Sequence, residues 1–308
     1  MGGVKFDPSK DIPSLEGKVI LVTGGNSGLG KQSILELAKH HPAEIWLGAR
    51  NATKAQEAID EIKKQAPNAS PIKVLEMDLA SFASIRDAAK TFSQQSQRLD
   101  ILMLNAGIMM VPHNTTKDGY EIQFGTNHMG HALLTKLLLP TLLSTAEQPG
   151  ADVRVVALSS AAHNSANRAS GIIFDFLKAK GDKLGTMSLY GQSKLANILW
   201  AKEFARRYPQ LTAPSIHPGV VHTNLATTIS QSGFFIGILS KLVLGVIAVD
   251  VRTGALNQLW ASVASNVVSG EYYEPVGVAG KGSKWTKNDE LAEKLWDWTE
   301  KELEGQLE

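Results

Sequence analysis

The sequence predicts an α/β chain folded as a single domain: a doubly wound parallel sheet of about seven strands with helices on both faces. Three observations predict it. Between Lys18 and Ala157, short β-branched and leucine-rich runs alternate with longer helical patterns, the order that winds a parallel sheet through crossover helices. The short runs are apolar almost throughout rather than at every second residue, as expected of strands covered on both faces. No repeat, low-complexity tract or linker divides the 308 residues, so they read as one unit.

Val19 to Thr23 is the first strand, and Lys31 to His40 the helix that follows it. Ile45 to Gly48 with Thr53 to Gln65, and Lys73 to Met77 with Ser81 to Gln95, repeat the pair. A fourth strand, Ile101 to Leu104, leads to a long helix through Asn127 to Leu143, and a fifth, Arg154 to Leu158, to another through Tyr190 to Tyr208. Ser215 to His217 reads as a sixth strand and Tyr272 to Pro275 as a seventh. Glu290 to Leu303 sets Leu291, Leu295, Trp296 and Trp298 among charges, the pattern of an amphipathic closing helix.

Lys and Arg total 31 against 30 Asp and Glu, a net charge of +1, so no overall field draws the chain to nucleic acid or to an anionic membrane. Without cysteine there is no disulfide, thiolate nucleophile or thiolate metal site. Met1 to Gly17 mixes charges with prolines and lacks the apolar stretch of a secretory signal. The apolar run Phe234 to Val249, broken by Ser240 and Lys241, is shorter than the roughly 20 residues of a spanning helix. It reads as a buried or substrate-facing segment, with shallow membrane contact as the rival use. A cytoplasmic protein with small-molecule partners and no transmembrane span is the expectation.

Directly after the first strand stands Thr23-Gly24-Gly25-Asn26-Ser27-Gly28-Leu29-Gly30, and a helical pattern begins at once. Such a turn lets backbone amides approach a pyrophosphate, whose charge the positive end of the helix dipole stabilises. The spacing Thr-Gly-x-x-x-Gly-x-Gly resembles that of the short-chain dehydrogenase/reductase family. The resemblance implies a Rossmann sheet and a nicotinamide cofactor, with Gly24, Gly28 and Gly30 lining the pyrophosphate and Asn26, Ser27 and Leu29 counted with them. It also implies that Asp78 and Leu79 belong to the adenine pocket, and that Asn105, Ala106 and Gly107 support the central sheet beside the cofactor. Where NAD-specific sites carry an acidic side chain against the ribose, this chain has Ala49 followed by Arg50, whose guanidinium can take the oxygens of a 2′-phosphate. NADP(H) is therefore the expected cofactor, and NAD(H) the alternative if Arg50 is only a solvated charge.

Tyr190 and Lys194 lie four apart in a helical pattern and so share a face. A neighbouring ammonium, with the positive ring of an oxidised nicotinamide, stabilises a phenolate, so Tyr190 can exchange a proton with a carbonyl or alcohol oxygen. In the family that this resembles, the pair works with a serine after the fifth strand and an asparagine on the preceding long helix. The resemblance assigns Ser160, ahead of its neighbour Ser159, to orient the substrate oxygen. It assigns Asn127 to hold a water beside Lys194 in a proton relay, and Lys194 also to hold the ribose. Pro218, Gly219, Val221 and Thr223 match the segment that meets the nicotinamide, with Thr223 bonding its carboxamide.

The stretch Gly171-Ile172-Ile173-Phe174-Asp175-Phe176, together with Asn127-His128-Met129-Gly130-His131 and Ser193 to Leu199, is similar to the retinol dehydrogenase and WW-domain oxidoreductase branch. That branch acts on hydrophobic alcohols and carbonyls, which implies NADP(H)-dependent interconversion of a hydrophobic ketone or aldehyde and its alcohol. Leu225, Phe234, Phe235, Ile236, Ile238 and Leu239, in a segment from about 224 to 250, are expected to close over the nicotinamide as an apolar lid. Their alternative use is as core or dimer-forming surface. Two further readings of function stay open: a non-catalytic NADP(H)-binding sensor or scaffold, and a lyase or epimerase on the same fold. Assembly through the two long helices, common in the family, implies a homodimer or homotetramer. His113, His128, His131, His163, His217 and His222 show no metal-ligand spacing, and no metal is expected.

Overall fold

The computed structural model describes residues 3–221 and 249–307. Thr223 and the lid residues Leu225, Phe234, Phe235, Ile236, Ile238 and Leu239 lie outside them. A single turn, α1 (Pro8–Asp11), precedes β1 (Val19–Thr23), α2 (Gly28–Ala38), β2 (Glu44–Ala49), α3 (Ala52–Gln65), β3 (Ile72–Glu76), α4 (Phe82–Gln95) and β4 (Ile101–Leu104). One turn, α5 (Ile122–Phe124), then runs through a π-helical stretch, Gly125–Met129, into α6 (Gly130–Ala146). The chain continues with β5 (Arg154–Leu158), α7 (Thr186–Arg207), β6 (Ser215–Ile216), α8 (Val251–Val263), β7 (Tyr272–Glu274), β8 (Val278–Ala279) and α9 (Asp289–Glu302).

The strands form one sheet in the order β3-β2-β1-β4-β5-β6-β7-β8, parallel except for the β7–β8 pair. Alternate residues of a strand enter opposite layers, which is why the strands read as unbroken apolar runs. Val19 and Leu21 join the core beneath α4, α6, α7 and α9, whereas Ile20 and Val22 join the one beneath α2, α3 and α8. The order reverses between β1 and β4, where an open sheet leaves a crevice beyond the carboxyl ends of its strands.

Among the described residues the sheet has eight strands rather than about seven. The additional β8 is two residues long, too short for any periodic signal, and it closes an antiparallel edge. Helix α2 begins at Gly28, not Lys31, because Lys31 N already closes the first turn on Ser27 O at 3.2 Å. Strand β6 stops at Ile216 and β7 at Glu274, each one residue short of expectation, although His217 N still donates to Tyr273 O at 2.9 Å. Helix α8 goes unannounced in the sequence because Asn257, Gln258 and Ser262 are buried beside its apolar residues and blur its pattern.

Helix α9 binds the two long helices together. Trp296 stacks on Trp200 of α7 at 6.1 Å, Glu300 pairs with Lys136 of α6 at 2.6 Å, and Asp297 with Arg207 at 3.5 Å. One face of α7 is thus covered by the chain's own last helix.

Candidate active site

At the crevice, the glycine turn is fitted to its neighbours at atomic distance. Gly24 and Gly28 have φ of +66° and +52°, where side chains are strained. A Cβ on Gly30 would stand 2.4 Å from the Gly24 carbonyl oxygen and 2.6 Å from Asn105 Nδ2, so helix and strand approach as closely as glycine alone permits. Asn105 secures that approach by donating to Thr23 O at 2.8 Å, and Ala106 N donates to the Thr23 hydroxyl at 2.9 Å. Ser27 occupies the N-cap of α2, yet its side chain makes no capping bond. The first amides of α2 thus have no side-chain cap at a positive helix end, which fits a dinucleotide pyrophosphate.

Around this turn, Leu29 is buried, Asn26 is half-buried and Ser27 is exposed. Ala49 is buried at the end of β2, and Arg50 stands exposed after it. Asp78 is half-buried and spends Oδ1 on its own turn, accepting from Ala80 N at 3.0 Å, while Leu79 is buried beneath α6. Pro218, Gly219 and Val221 follow β6 at the same edge, half-buried, with Gly219 at φ +92°.

Beside the crevice the structure brings Asn127, Ser160, Tyr190 and Lys194 together. Tyr190 and Lys194 share one buried face of α7, and the ammonium nitrogen stands 5.8 Å from the phenol ring centre. Lys194 Nζ donates to Leu158 O at 3.0 Å. The Ser160 hydroxyl lies close enough to the phenol to lower it against the effect of burial, and it caps its own turn by accepting from Ala162 N at 3.1 Å. Ser159 is committed elsewhere, donating to Lys194 O at 2.7 Å, so Ser160 is the serine whose hydroxyl faces Tyr190. Gly107 abuts the group: a Cβ there would lie 3.1 Å from Asn127 Oδ1 and 3.4 Å from Lys194 Nζ.

Both polar atoms of the Asn127 side chain have partners within the protein. Its Oδ1 accepts from Ile108 N at 2.8 Å, and its Nδ2 donates to Ile108 O and to Ser193 Oγ, each at 2.9 Å. Ser193 passes this link on, donating to Tyr190 O at 2.8 Å. The residue's second oxygen is its main-chain carbonyl. That carbonyl already accepts His131 Nδ1 at 3.0 Å, and His131 Nε2 meets the Thr23 hydroxyl at 2.9 Å. One buried ring thereby connects the cofactor turn to the asparagine. Burial pushes His131 down to about 3, so the ring is neutral.

Burial dominates the electrostatics of the pair. It pushes the Tyr190 phenol up to about 12, opposed by the nearby Ser160 hydroxyl, and it pushes Lys194 down to about 8. Sequence reasoning gave the tyrosine–lysine spacing but not Ser193, His131 or Thr23 as partners. Only Ser193 leaves a trace, at three residues from Tyr190 on the same helix.

A crevice at the reversal of a parallel sheet, seating a pyrophosphate-shaped turn next to a buried phenol and amine, defines a dinucleotide-dependent oxidoreductase. Comparison with known proteins gives the family: the model of the short chain dehydrogenases matches residues 18–232, and the chain belongs to that family. It is 39% identical over 298 residues to a short-chain dehydrogenase/reductase of Armillaria gallica, covering 94% of this chain and 91% of that one. Human retinol dehydrogenase 13 is 36% identical over 297 residues, covering 94% and 85%. A solved structure of an uncharacterized protein from Mycobacterium paratuberculosis matches over 97% of each chain with a TM-score of 0.75 at 30% identity.

Proposed function

We propose that the protein interconverts a hydrophobic ketone or aldehyde and its alcohol with NADP(H), using Tyr190 as the proton-transfer group. The observation that carries this reading is the buried Tyr190 phenol, with the Ser160 hydroxyl near it and Lys194 Nζ 5.8 Å from its ring centre. When bound, NADPH supplies hydride to the carbonyl carbon. Ser160 and Tyr190 hold the carbonyl oxygen, and Tyr190 gives up its proton as negative charge grows there. A phenol pushed up to about 12 is protonated at neutral pH, so reduction begins with the proton in place. In the oxidative direction, the Lys194 ammonium favours the phenolate that accepts the alcohol proton. Lys194 and the Asn127 carbonyl, joined by water, are the route by which the phenol regains its proton from solvent.

Ala49 and Arg50, where an acidic residue would select NAD(H), support NADP(H). Similarity to a protein named retinol dehydrogenase 13, and the apolar run Phe234 to Val249, support a lipophilic substrate. The test is loss of NADPH absorbance with a panel of bulky ketones and aldehydes, beside an NADH control. Turnover with NADPH and weaker turnover with NADH are expected. Saturable NADPH binding without turnover on any member of the panel would favour the sensor or scaffold reading.

A further inference from the structure

His163 lies three residues beyond Ser160, in the 3-10 turn Ala161–Ser165, and is 1% exposed. Its Nδ1 is 2.8 Å from Ser160 O, and its Nε2 is 3.0 Å from Ser283 N. A carbonyl can only accept and a backbone amide can only donate, so Nδ1 carries the proton and Nε2 is bare. The geometry thus admits a single neutral tautomer. Burial lowers the basicity of the ring in the same sense, and Tyr272 packs edge-on against it at 5.1 Å.

Ser160 needs such a hold. The β5 ladder ends at Leu158, paired with Ile216, and the last ladder-type bond is Ser159 N to Ile216 O at 2.7 Å. Beyond it, only the turn places the Ser160 hydroxyl. One side of that turn lies on α7 at Gly191, where a Cβ would come 2.5 Å from Ala162 O and 2.8 Å from Ala166 N, next to Tyr190. Its other side is tied by the His163 ring to Ser283, 120 residues further along the chain.

We infer that His163 is a positioning residue: by bridging Ser160 O to the Ser283 amide, it fixes the Ser160 hydroxyl against the Tyr190 phenol. The inference rests on the proposed role of Ser160 in turnover and assigns the carboxyl-terminal segment a part in setting the catalytic geometry. Misplacing a reacting group by about 1 Å can cost on the order of 100-fold in rate, so losing the bridge should be felt in kcat.

The experiment is a double-mutant cycle on ketone reduction, with NADPH affinity measured on every variant. His163→Leu removes both bonds, and His163→Asn keeps a donor toward Ser160 O while falling short of Ser283. In the otherwise native protein, His163→Leu should lower kcat by about 10- to 100-fold with NADPH affinity unchanged, and His163→Asn should recover part of the loss. In a Ser160→Ala background the same changes should cost less than about twofold, because a positioning residue has nothing left to position. An equal factor in both backgrounds, or native kcat in His163→Leu, overturns the inference. Should His163→Leu fail to fold, the His163→Asn arm carries the same comparison. Native turnover in Ser160→Ala alone would overturn the proposed function with it, whereas an impaired Ser160→Ala beside a native His163→Leu would remove the role of His163 only.

Discussion

The two sides of the crevice are built by different means. On the cofactor side, β1, the glycine turn and α2 are placed by backbone: two glycines at positive φ and a third that admits no Cβ. On the catalytic side, Ser160, Tyr190, Lys194 and Asn127 are placed by buried side-chain hydrogen bonds, through Ser193, Leu158 O and the rings of His131 and His163. A site held by backbone fails when a side chain is added. One held by hydrogen bonds fails when a side chain is removed. The two should therefore separate in their readouts, cofactor affinity on one side and turnover on the other.

The largest expected effect is on the catalytic side. Tyr190→Phe keeps the ring and removes the proton donor, so kcat should fall by about 1,000-fold while NADPH affinity, measured by fluorescence titration, stays near native. Equal loss of both would break the comparison. The converse variant is Gly30→Ala, whose methyl meets Gly24 O at 2.4 Å. It should weaken NADPH binding by about 100-fold, roughly 2.7 kcal/mol, with the residual turnover at saturation far less affected. A Gly30→Ala protein that binds NADPH normally would show that the turn adjusts and that backbone does not set this side.

The smallest effect concerns stability. The folded protein holds Lys194 at about 8, against an ordinary value of 10.5, because burial disfavours its charge. Below pH 8 the side chain is charged both folded and unfolded, and the burial cost is fully present. It disappears as pH rises from 8 through 10.5. Each tenfold weakening of a proton's hold on folding costs about 1.4 kcal/mol, so Lys194→Met should abolish turnover yet raise the thermal midpoint at pH 7 by several degrees. The gain should shrink above pH 10. A midpoint below native at pH 7 would show that the bond to Leu158 O outweighs the cost of burying the charge.

The same contrast explains what the sequence discloses. The cofactor side is local: β1, β4 and β5 stand at the expected residues because continuous apolar runs state their own boundaries, and the glycine turn is contiguous. The far edge is not. Strands β6 to β8 are two or three residues long, and polar links such as Asn257 Nδ2 to His217 O and Tyr273 O tie this edge to α8 across long stretches of chain. Such partners have no period to read. Tyr190 and Lys194 are legible because four residues on a helix share a face. Ser283 is invisible to that reasoning, since its link to His163 exists only after folding. The histidines show the same limit: a search for metal-ligand spacing gives no hint that His131 and His163 hold the carbonyls of Asn127 and Ser160.

Both sides of the crevice serve one spatial requirement: a dinucleotide lies across them at once. Its most direct test is a crystal structure of the protein with NADP+. The expected result is the pyrophosphate at the Gly24–Gly30 turn, the 2′-phosphate against Arg50, and the nicotinamide facing the Tyr190 phenol and the Ser160 hydroxyl. A dinucleotide seated elsewhere, or a nicotinamide turned away from Tyr190, would contradict it.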